Sequence, residues 1–154
     1  MPLVIGGWTI LYHPVFGDRL RALKDRVKQL KATLPPVEFA RHPDLKLLSA
    51  VNTLISKTIP ADPNAREFML KANLSKFRRV KGHGLAGRHR MFYVFMHQSK
   101  TIIFLYLNDS DTLRKDGAKT DPYEVFKNLV ESKNIGKDFD ANLKQWKAAH
   151  SEQR

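Results

Sequence analysis

The chain contains no cysteine, and this absence excludes disulfide bonds and thiolate-bound zinc. Its apolar runs fall far short of the ~20 residues that a membrane-spanning helix requires. The first residues, MPLVIGGWTILYHP, lack the positively charged leader that directs secretion. Together these absences predict a soluble, cytoplasmic protein with no membrane contact.

Acidic residues are missing from the middle of the chain. Residues 68–108 contain eight Lys or Arg residues and no Asp or Glu. The whole chain has 27 Lys and Arg against 15 Asp and Glu, a net charge of +12. Such an excess favours a nucleic acid, an anionic membrane or an acidic protein as partner, or a basic surface without a specific ligand. Because the basic stretch is also the most strand-like part of the sequence, we favour RNA.

The 154 residues, 42% of them hydrophobic, suffice for one globular domain. Residues 8–12 form a β-prone run. Apolar residues then recur at helical spacing over residues 16–34, a helix that two prolines stop. The other face of this helix carries cations that we expect to be solvated: Arg19, Arg21, Lys24, Lys28 and Lys31.

Four further helices are predicted from start signals and periodicity. One begins after Pro43 and ends at Pro60, and it would form a hairpin with the first helix through residues 35–42. Asp62-Pro63 predicts a short third helix ending near residue 71, because Asp caps a helix and Pro suits its first position. Asp121-Pro122 repeats this signal, and a last helix is predicted over residues 138–149.

Three strands are predicted in the basic stretch, over residues 77–81, 88–97 and 101–108. The two longer strands are apolar on both faces in their middles, which is typical of central strands covered on both sides. A glycine-rich connection links the first two strands, and a short turn links the second to the third. Residues 109–120 are predicted to form a loop.

These strands should bring basic side chains together at one rim of the sheet. Alternation places Arg79 with Lys81 on one face of the first strand, and Arg88 with Arg90 on one face of the second. Antiparallel pairing would make the four cations converge, and a register slip of one residue would undo this. The next loop and helix add residues near a helix N-terminus that attracts anions: Arg114, Lys119 and Tyr123.

Two histidines are candidates for a role beyond packing, and a third is interpreted as structural. His83, in the glycine-rich connection, and His89, beside the arginines, could serve acid–base chemistry. Alternation turns His89 away from the arginines, and a loop surface is the alternative for His83. His13 precedes a proline at a strand end and is interpreted as structural. The histidines lack acidic clusters and ligand spacing, so no metal site is predicted.

Several segments resemble the YhaV family of bacterial toxins, in the RelE-like ribonuclease superfamily of type II toxin–antitoxin systems. They read GWTILYHPVF, KLLSAV, RVK, GRHR and LNDSDTLRKDGAKTDPYEVF, and the resemblance covers most of the chain. It implies a single RelE-like toxin domain over residues 1–154. The implied fold class is α+β: a small, twisted, mainly antiparallel sheet packed against an N-terminal helical hairpin, with C-terminal helices.

The resemblance also implies an activity and partners. Toxins of this superfamily cleave messenger RNA, and the implied mechanism is attack by the RNA's own 2′-hydroxyl, without a metal or other cofactor. Growth inhibition would follow from the loss of translation. The implied partners are RNA, with or without the ribosome, and a PrlF-like antitoxin that forms a hetero-oligomer and binds operator DNA.

Carried over position by position, the resemblance assigns catalysis to Lys81, Arg90, Arg114 and Tyr123. The arginines would stabilise the phosphorane with their donor forks. Lys81, flanked by cations, is a candidate general base, and Tyr123 would share that role or stack on a base. Asn108 and Asp109 are interpreted as shaping the turn and orienting Arg114. RNA contacts are expected from a second group: Arg79, Arg88, Lys119 and His83.

The chain departs from the family pattern at three points. His89 stands where Tyr is usual, Val94 stands where another Arg is frequent, and GHGL lengthens the glycine connection. The general base and the substrate preference therefore stay open. A second interpretation also stays open, in which the domain binds RNA, the ribosome or mainly its antitoxin, and does not cut.

Overall fold

A computed structural model describes residues 2–109 and 118–151 as a five-stranded sheet with helices on both faces. Across the sheet the strands lie in the order β1 (Leu3–Ile5), β2 (Trp8–Tyr12), β5 (Thr101–Leu107), β4 (Met91–Met96) and β3 (Arg78–Val80). Among these strands, β2 and β5 run parallel, and the other three neighbouring pairs are antiparallel. The predicted α+β class is therefore confirmed, with a mixed sheet.

The helices fall into two groups along the chain. Before β3 come α1 (Pro14–Thr33), α2 (Pro36–Arg41) and α3 (Pro43–Thr53), which continues through a π-helical turn, Leu54–Thr58, into α4 (Ile59–Ala61). After β5 come α5 (Pro122–Glu131) and α6 (Phe139–Ser151). Within the described segments, none of these helices combines the length and hydrophobicity that a membrane span needs.

Strands β4 and β5 lie at the centre of the sheet because both of their faces are apolar. Tyr93 of β4 packs into the core under α1 and α3. Its neighbour Phe92 points the other way and stacks on Phe126 of α5, with ring centroids 4.2 Å apart. The prediction of two central strands covered on both sides is confirmed.

Helix α1 begins and ends where the local chemistry predicts. The imidazole Nδ1 of His13 accepts a hydrogen bond from the backbone N–H of Val15 at 3.2 Å, and Pro14 occupies the first turn. At the other end Leu34 is extended, because the residue before a proline is disfavoured in a helix. The apolar stripe of α1 packs on the sheet beside α3, so these two helices cover one face and α5 and α6 cover the other.

Residues 62–71 do not form the predicted third helix. They contain one short 3₁₀ turn, Arg66–Phe68. The carbonyl of Pro63 accepts a hydrogen bond from the buried hydroxyl of Tyr93 at 2.6 Å, and Met69 forms a bridge with Arg78 of β3. Tertiary partners thus take backbone groups that a helix would use for itself. The predicted link over residues 35–42 is also corrected, because it contains α2.

Strand β1 was missed by the sequence reasoning, although its turn had a clear signal. Gly6 and Gly7 both have positive φ angles, 57° and 84°, and they join β1 to β2 as an antiparallel hairpin. Two residues with positive φ are the geometry that a tight hairpin turn requires. A glycine pair between two β-prone runs therefore indicated the hairpin.

His13 ties the start of α1 to α6, in agreement with its structural interpretation. Because its Nδ1 accepts the capping bond, the proton lies on Nε2, which donates to Oε1 of Gln145 at 2.6 Å. The ring is almost completely buried. Burial lowers the pKa of His13 from its usual 6.5, so the folded protein favours the neutral ring.

We expect His13→Asn to make the stability of the protein less sensitive to acid. Below the unfolded pKa of 6.5, the unfolded chain takes up a proton that folded His13 resists, so stability falls as the pH drops. Asn also caps a helix but does not titrate. Urea unfolding between about pH 7.5 and about pH 5.5 measures this. The wild type should lose more free energy of unfolding than the variant, and equal losses would contradict the assignment.

Candidate active site

A turn at Gly87 and Arg88 leads through His89 and Arg90 into β4, and one buried side chain holds residues 88–90, the segment called here the 88–90 turn. Asn108, directly after β5, accepts a hydrogen bond from the backbone N–H of Arg90 at its Oδ1, at 2.7 Å. Its Nδ2 donates to the carbonyl of Arg88 at 3.1 Å. The predicted strand over residues 88–97 is corrected to Met91–Met96, because side-chain bonds replace ladder bonds at its start.

The guanidinium of Arg90 is fixed by three acceptors. Its Nη1 donates to the carbonyls of Gly87 and His89, both at 2.8 Å, and its Nε donates to the hydroxyl of Tyr123 at 3.3 Å. These bonds leave Nη2 for another acceptor. A guanidinium that is held in place and has one nitrogen not used by these bonds can donate hydrogen bonds to a phosphate oxygen.

Tyr123 reaches Arg90 from the first turn of α5. That turn begins at Asp121, as predicted, and the Asp121 carboxylate accepts a hydrogen bond from the N–H of Tyr123 at 3.1 Å. The tyrosine ring meets the Phe92 ring edge-on, with centroids 5.7 Å apart. The cap and this aromatic contact set where the hydroxyl lies.

Arg79 lies on the same face of the sheet. It pairs with Phe92 in the register between β3 and β4, and paired residues of antiparallel strands share a face. Its Nε and Nη1 are buried and have no hydrogen-bond partner in the described part of the chain. Buried donors without acceptors are costly, and an anion would supply acceptors for these two nitrogens. We call Arg79, Arg90 and Tyr123 the arginine–tyrosine cluster.

Three other predicted residues stand exposed around this cluster. Lys81 follows β3, two residues after Arg79, and Arg88 lies in the turn held by Asn108. Lys119 lies just before the cap of α5. All three are open to a polyanion that passes along the rim.

One predicted residue, His83, is not brought to the cluster. His83 pairs with Glu67, and its ring contacts the Phe68 ring at 5.5 Å between centroids, on the face covered by α1 and α3. Arg114 lies outside the described residues. Within those residues, no group of three His, Asp or Glu side chains is arranged to hold a metal ion.

Arg19 does not belong to the solvated face predicted for α1. It is half-buried, and its Nη2 donates to the carbonyl of Asn108 at 3.2 Å. The spacing of residues indicated this burial, because Arg19 follows Phe16 by three positions and precedes Leu23 by four. It therefore lies on the same side of the helix as the apolar stripe.

His89 also lies on the side of the sheet covered by α1 and α3. Burial, and then the positive charge of Arg19, lower the pKa of His89 below 6.5, so its ring is neutral at physiological pH. The His89 side chain lies among residues of α1 and α3, on the opposite side from the arginine–tyrosine cluster. This agrees with the prediction that His89 faces away from Arg88 and Arg90.

Comparison with known proteins shows the family to which the chain belongs. A fixed arginine that shares a face of the sheet with a second arginine, two of whose nitrogens lack partners among the described residues, suits a basic protein that acts on phosphodiesters. A family model described as a toxin with endonuclease activity, of a toxin–antitoxin system, matches residues 10–147. The chain therefore belongs to the YhaV toxin family.

Individual relatives agree with this assignment. Toxin YhaV of Escherichia coli O6:H1 and ribonuclease toxin YhaV of Escherichia coli K12 are each 30% identical over 154 residues. Each alignment covers 97% of this chain and 98% of the relative. No solved structure matches the chain. The family resemblance, the toxin class and the endonuclease activity are confirmed, and a toxin of this kind has an antitoxin as partner.

Proposed function

We propose that this toxin is a metal-independent ribonuclease that cleaves messenger RNA in the cytoplasm, on a RelE-like domain, and so inhibits translation and growth. The observation that carries the proposal is the guanidinium of Arg90, fixed by Tyr123 and two carbonyls at a basic rim. The net charge of +12 favours a polyanion as substrate. The name of one relative, ribonuclease toxin, supports RNA over DNA.

In the proposed step the RNA supplies its own nucleophile. The 2′-oxygen of one ribose attacks the neighbouring phosphorus, and the bond from phosphorus to the 5′-oxygen breaks. The products are a 2′,3′-cyclic phosphate and a 5′-hydroxyl. One proton leaves the 2′-hydroxyl and one reaches the 5′-oxygen, so the protein must align the attack, stabilise charge and move protons.

The residues divide these tasks according to their positions. Arg90 donates to the phosphorane, joined by Arg114 as the resemblance implies. Lys81 takes the 2′-proton as general base, and Tyr123 fixes Arg90 and shares the proton transfer. Contacts to flanking phosphates come from Arg79, Arg88 and Lys119. A contact with His83 requires RNA that continues around the glycine-rich connection to the other face.

We further propose that the antitoxin is PrlF-like and blocks this rim directly. An acidic segment laid across Arg79, Lys81 and Arg90 would mimic phosphate and exclude RNA, because these residues lie where the chain has its densest positive charge. The resulting hetero-oligomer would bind operator DNA through the antitoxin. The free toxin would act on messenger RNA, on the ribosome or away from it.

A labelled transcript incubated with the pure protein in EDTA tests the proposal. Cleavage should proceed without metal and leave a 5′-hydroxyl at the new end. A second transcript, with one 2′-deoxynucleotide on the 5′ side of the mapped site, should resist cleavage there and nowhere else. Cleavage at the deoxynucleotide, or a requirement for added metal, would contradict the mechanism. Binding without any cleavage would favour the alternative of an RNA-binding module.

A further inference from the structure

A second cleft lies on the other side of the 88–90 turn from the arginine–tyrosine cluster. It encloses about 420 Å³ between α1, α3 and that turn, within the ~300–1,000 Å³ typical of small-ligand sites. Part of its wall is the buried side chain of Leu47. Its ionisable lining has no part in the proposed cleavage step and consists of Arg19, Arg26, Asp44, His89 and Asp109.

Two residues that line this cleft each have a buried nitrogen without a hydrogen-bond partner in the described part of the chain, namely Nε of Arg19 and Nδ1 of His89. Arg19 is not free to turn to solvent, because its Nη2 is bonded to the carbonyl of Asn108 at 3.2 Å. A native fold satisfies nearly all of its buried polar groups, so an exception needs an explanation. Nε of Arg19 is a donor, and Nδ1 of the neutral His89 ring donates or accepts according to the tautomer. A ligand that carries both acceptors and donors would satisfy them.

The charges of the cleft select the kind of ligand. A phosphate would meet the carboxylates of Asp44 and Asp109, whereas an RNA base presents acceptors and donors side by side. Guanine has O6 and N7, which an arginine bonds as a pair. It also has adjacent N1–H and N2–H donors that suit a carboxylate. The ion pair of Asp44 with Arg26 uses Oδ2, at 3.6 Å, and leaves Oδ1 for a ligand.

We propose that this cleft binds a guanine base of the RNA substrate, with Arg19 at its acceptor edge and Asp44 at its donor edge. The inference rests on the proposed function, because the guanine belongs to a nucleotide beside the cleaved bond. His89 and Arg90 are successive residues whose side chains serve opposite sides of the turn, so a strand that crosses the turn meets both sites. Asn108 joins them, since its side chain holds Arg90 and its carbonyl holds Arg19.

Cleavage of short oligoribonucleotides that differ only in the base beside the mapped site tests the proposal. The wild type should cleave the guanine substrate roughly tenfold or more faster than the adenine substrate, measured as kcat/KM. Asp44→Asn should lose this preference, because an amide pairs well with adenine. Asp25→Asn, the same change at an exposed position of α1, should keep it. Equal wild-type rates, or an unchanged preference in Asp44→Asn, would overturn the proposal.

Binding of free nucleotides separates this inference from the proposed function. Guanosine monophosphate should shift the NMR resonances of the His89 ring, and adenosine monophosphate should shift them less. A protein that binds guanosine monophosphate at His89 but cuts no RNA would retain the base site and refute the ribonuclease. A protein that cuts RNA without a shift at His89 and without guanine preference would refute the base site alone.

Discussion

Replacing Arg90 with Ala should lower the rate of RNA cleavage by about 10²–10³ and abolish growth inhibition, as expected for a lost charge-stabilising donor. Two carbonyls and Tyr123 hold the guanidinium in place before substrate arrives. Donors fixed in advance need no reorganisation in the transition state, which is why their loss is expensive. Arg90→Lys keeps the charge but not the planar fork and should recover only part of the rate.

Lys28→Ala is the matched control for this experiment. It removes the same charge from an exposed position of α1, and its cleavage rate should stay near that of the wild type. Single-turnover cleavage of a labelled oligoribonucleotide gives the rates, and circular dichroism shows whether each variant is folded. A folded Arg90→Ala protein that cuts at the wild-type rate would remove Arg90 from the mechanism. Arg114→Ala takes the same assay, because its role is so far implied only by the resemblance.

Hydrophobic spacing was enough to predict most of the elements that carry the cluster. Strand β2 and the starts of α3 and α5 lie where the sequence placed them. The register between β3 and β4 sets Arg79 opposite Phe92, on the face that Tyr123 approaches. Alternation together with antiparallel pairing therefore predicted that Arg79 and Arg90 lie on one side of the sheet, whereas the bond of Arg90 to Tyr123 was not predicted. The predicted features come from periods of two or 3.6 residues, which are visible in one sequence.

The sequence did not reveal the bonds that connect distant side chains to the backbone. Asn108 bonds to Arg90, 18 residues away, and its carbonyl receives Arg19 from 89 residues away. No periodicity encodes such bonds, so Asn108 was interpreted as shaping the turn and orienting Arg114, and its bonds to Arg88, Arg90 and Arg19 were not predicted. Residues 62–71 failed as a helix for the same reason, since the backbone there bonds to Tyr93 and β3. A helix start signal in the local sequence does not decide the structure where residues distant in sequence form hydrogen bonds with the same backbone groups.

Asn108 therefore connects the two halves of the proposed RNA site. Its amide group holds the backbone of Arg88 and Arg90, and its carbonyl fixes Arg19 in the neighbouring cleft. The amide is fully buried, so water cannot take over these bonds if the side chain is removed. The position of both arginines should then depend on this one residue.

We expect Asn108→Ala to destabilise the protein and to lower cleavage by the molecules that remain folded. The change leaves the N–H of Arg90 and the carbonyl of Arg88 without these partners, at a cost of about 1–3 kcal/mol for each group. Released from Asn108, the 88–90 turn would no longer hold Arg90 at the phosphate. Urea unfolding measures the first effect, and single-turnover cleavage at low temperature, corrected for the folded fraction, measures the second.

Asn142→Ala separates loss of stability from loss of position. Asn142 is also fully buried and also holds a turn through its amide, bonding to the N–H of Gly136 at 2.7 Å and to the carbonyls of Gly136 and Asp138 at 3.0 and 2.8 Å. These bonds reach only Gly136 and Asp138, which are not part of the arginine–tyrosine cluster. Both variants should lose a similar free energy of unfolding, but only Asn108→Ala should cut more slowly per folded molecule. Equal cleavage rates in the two variants would show that Asn108 supports the fold without positioning Arg90.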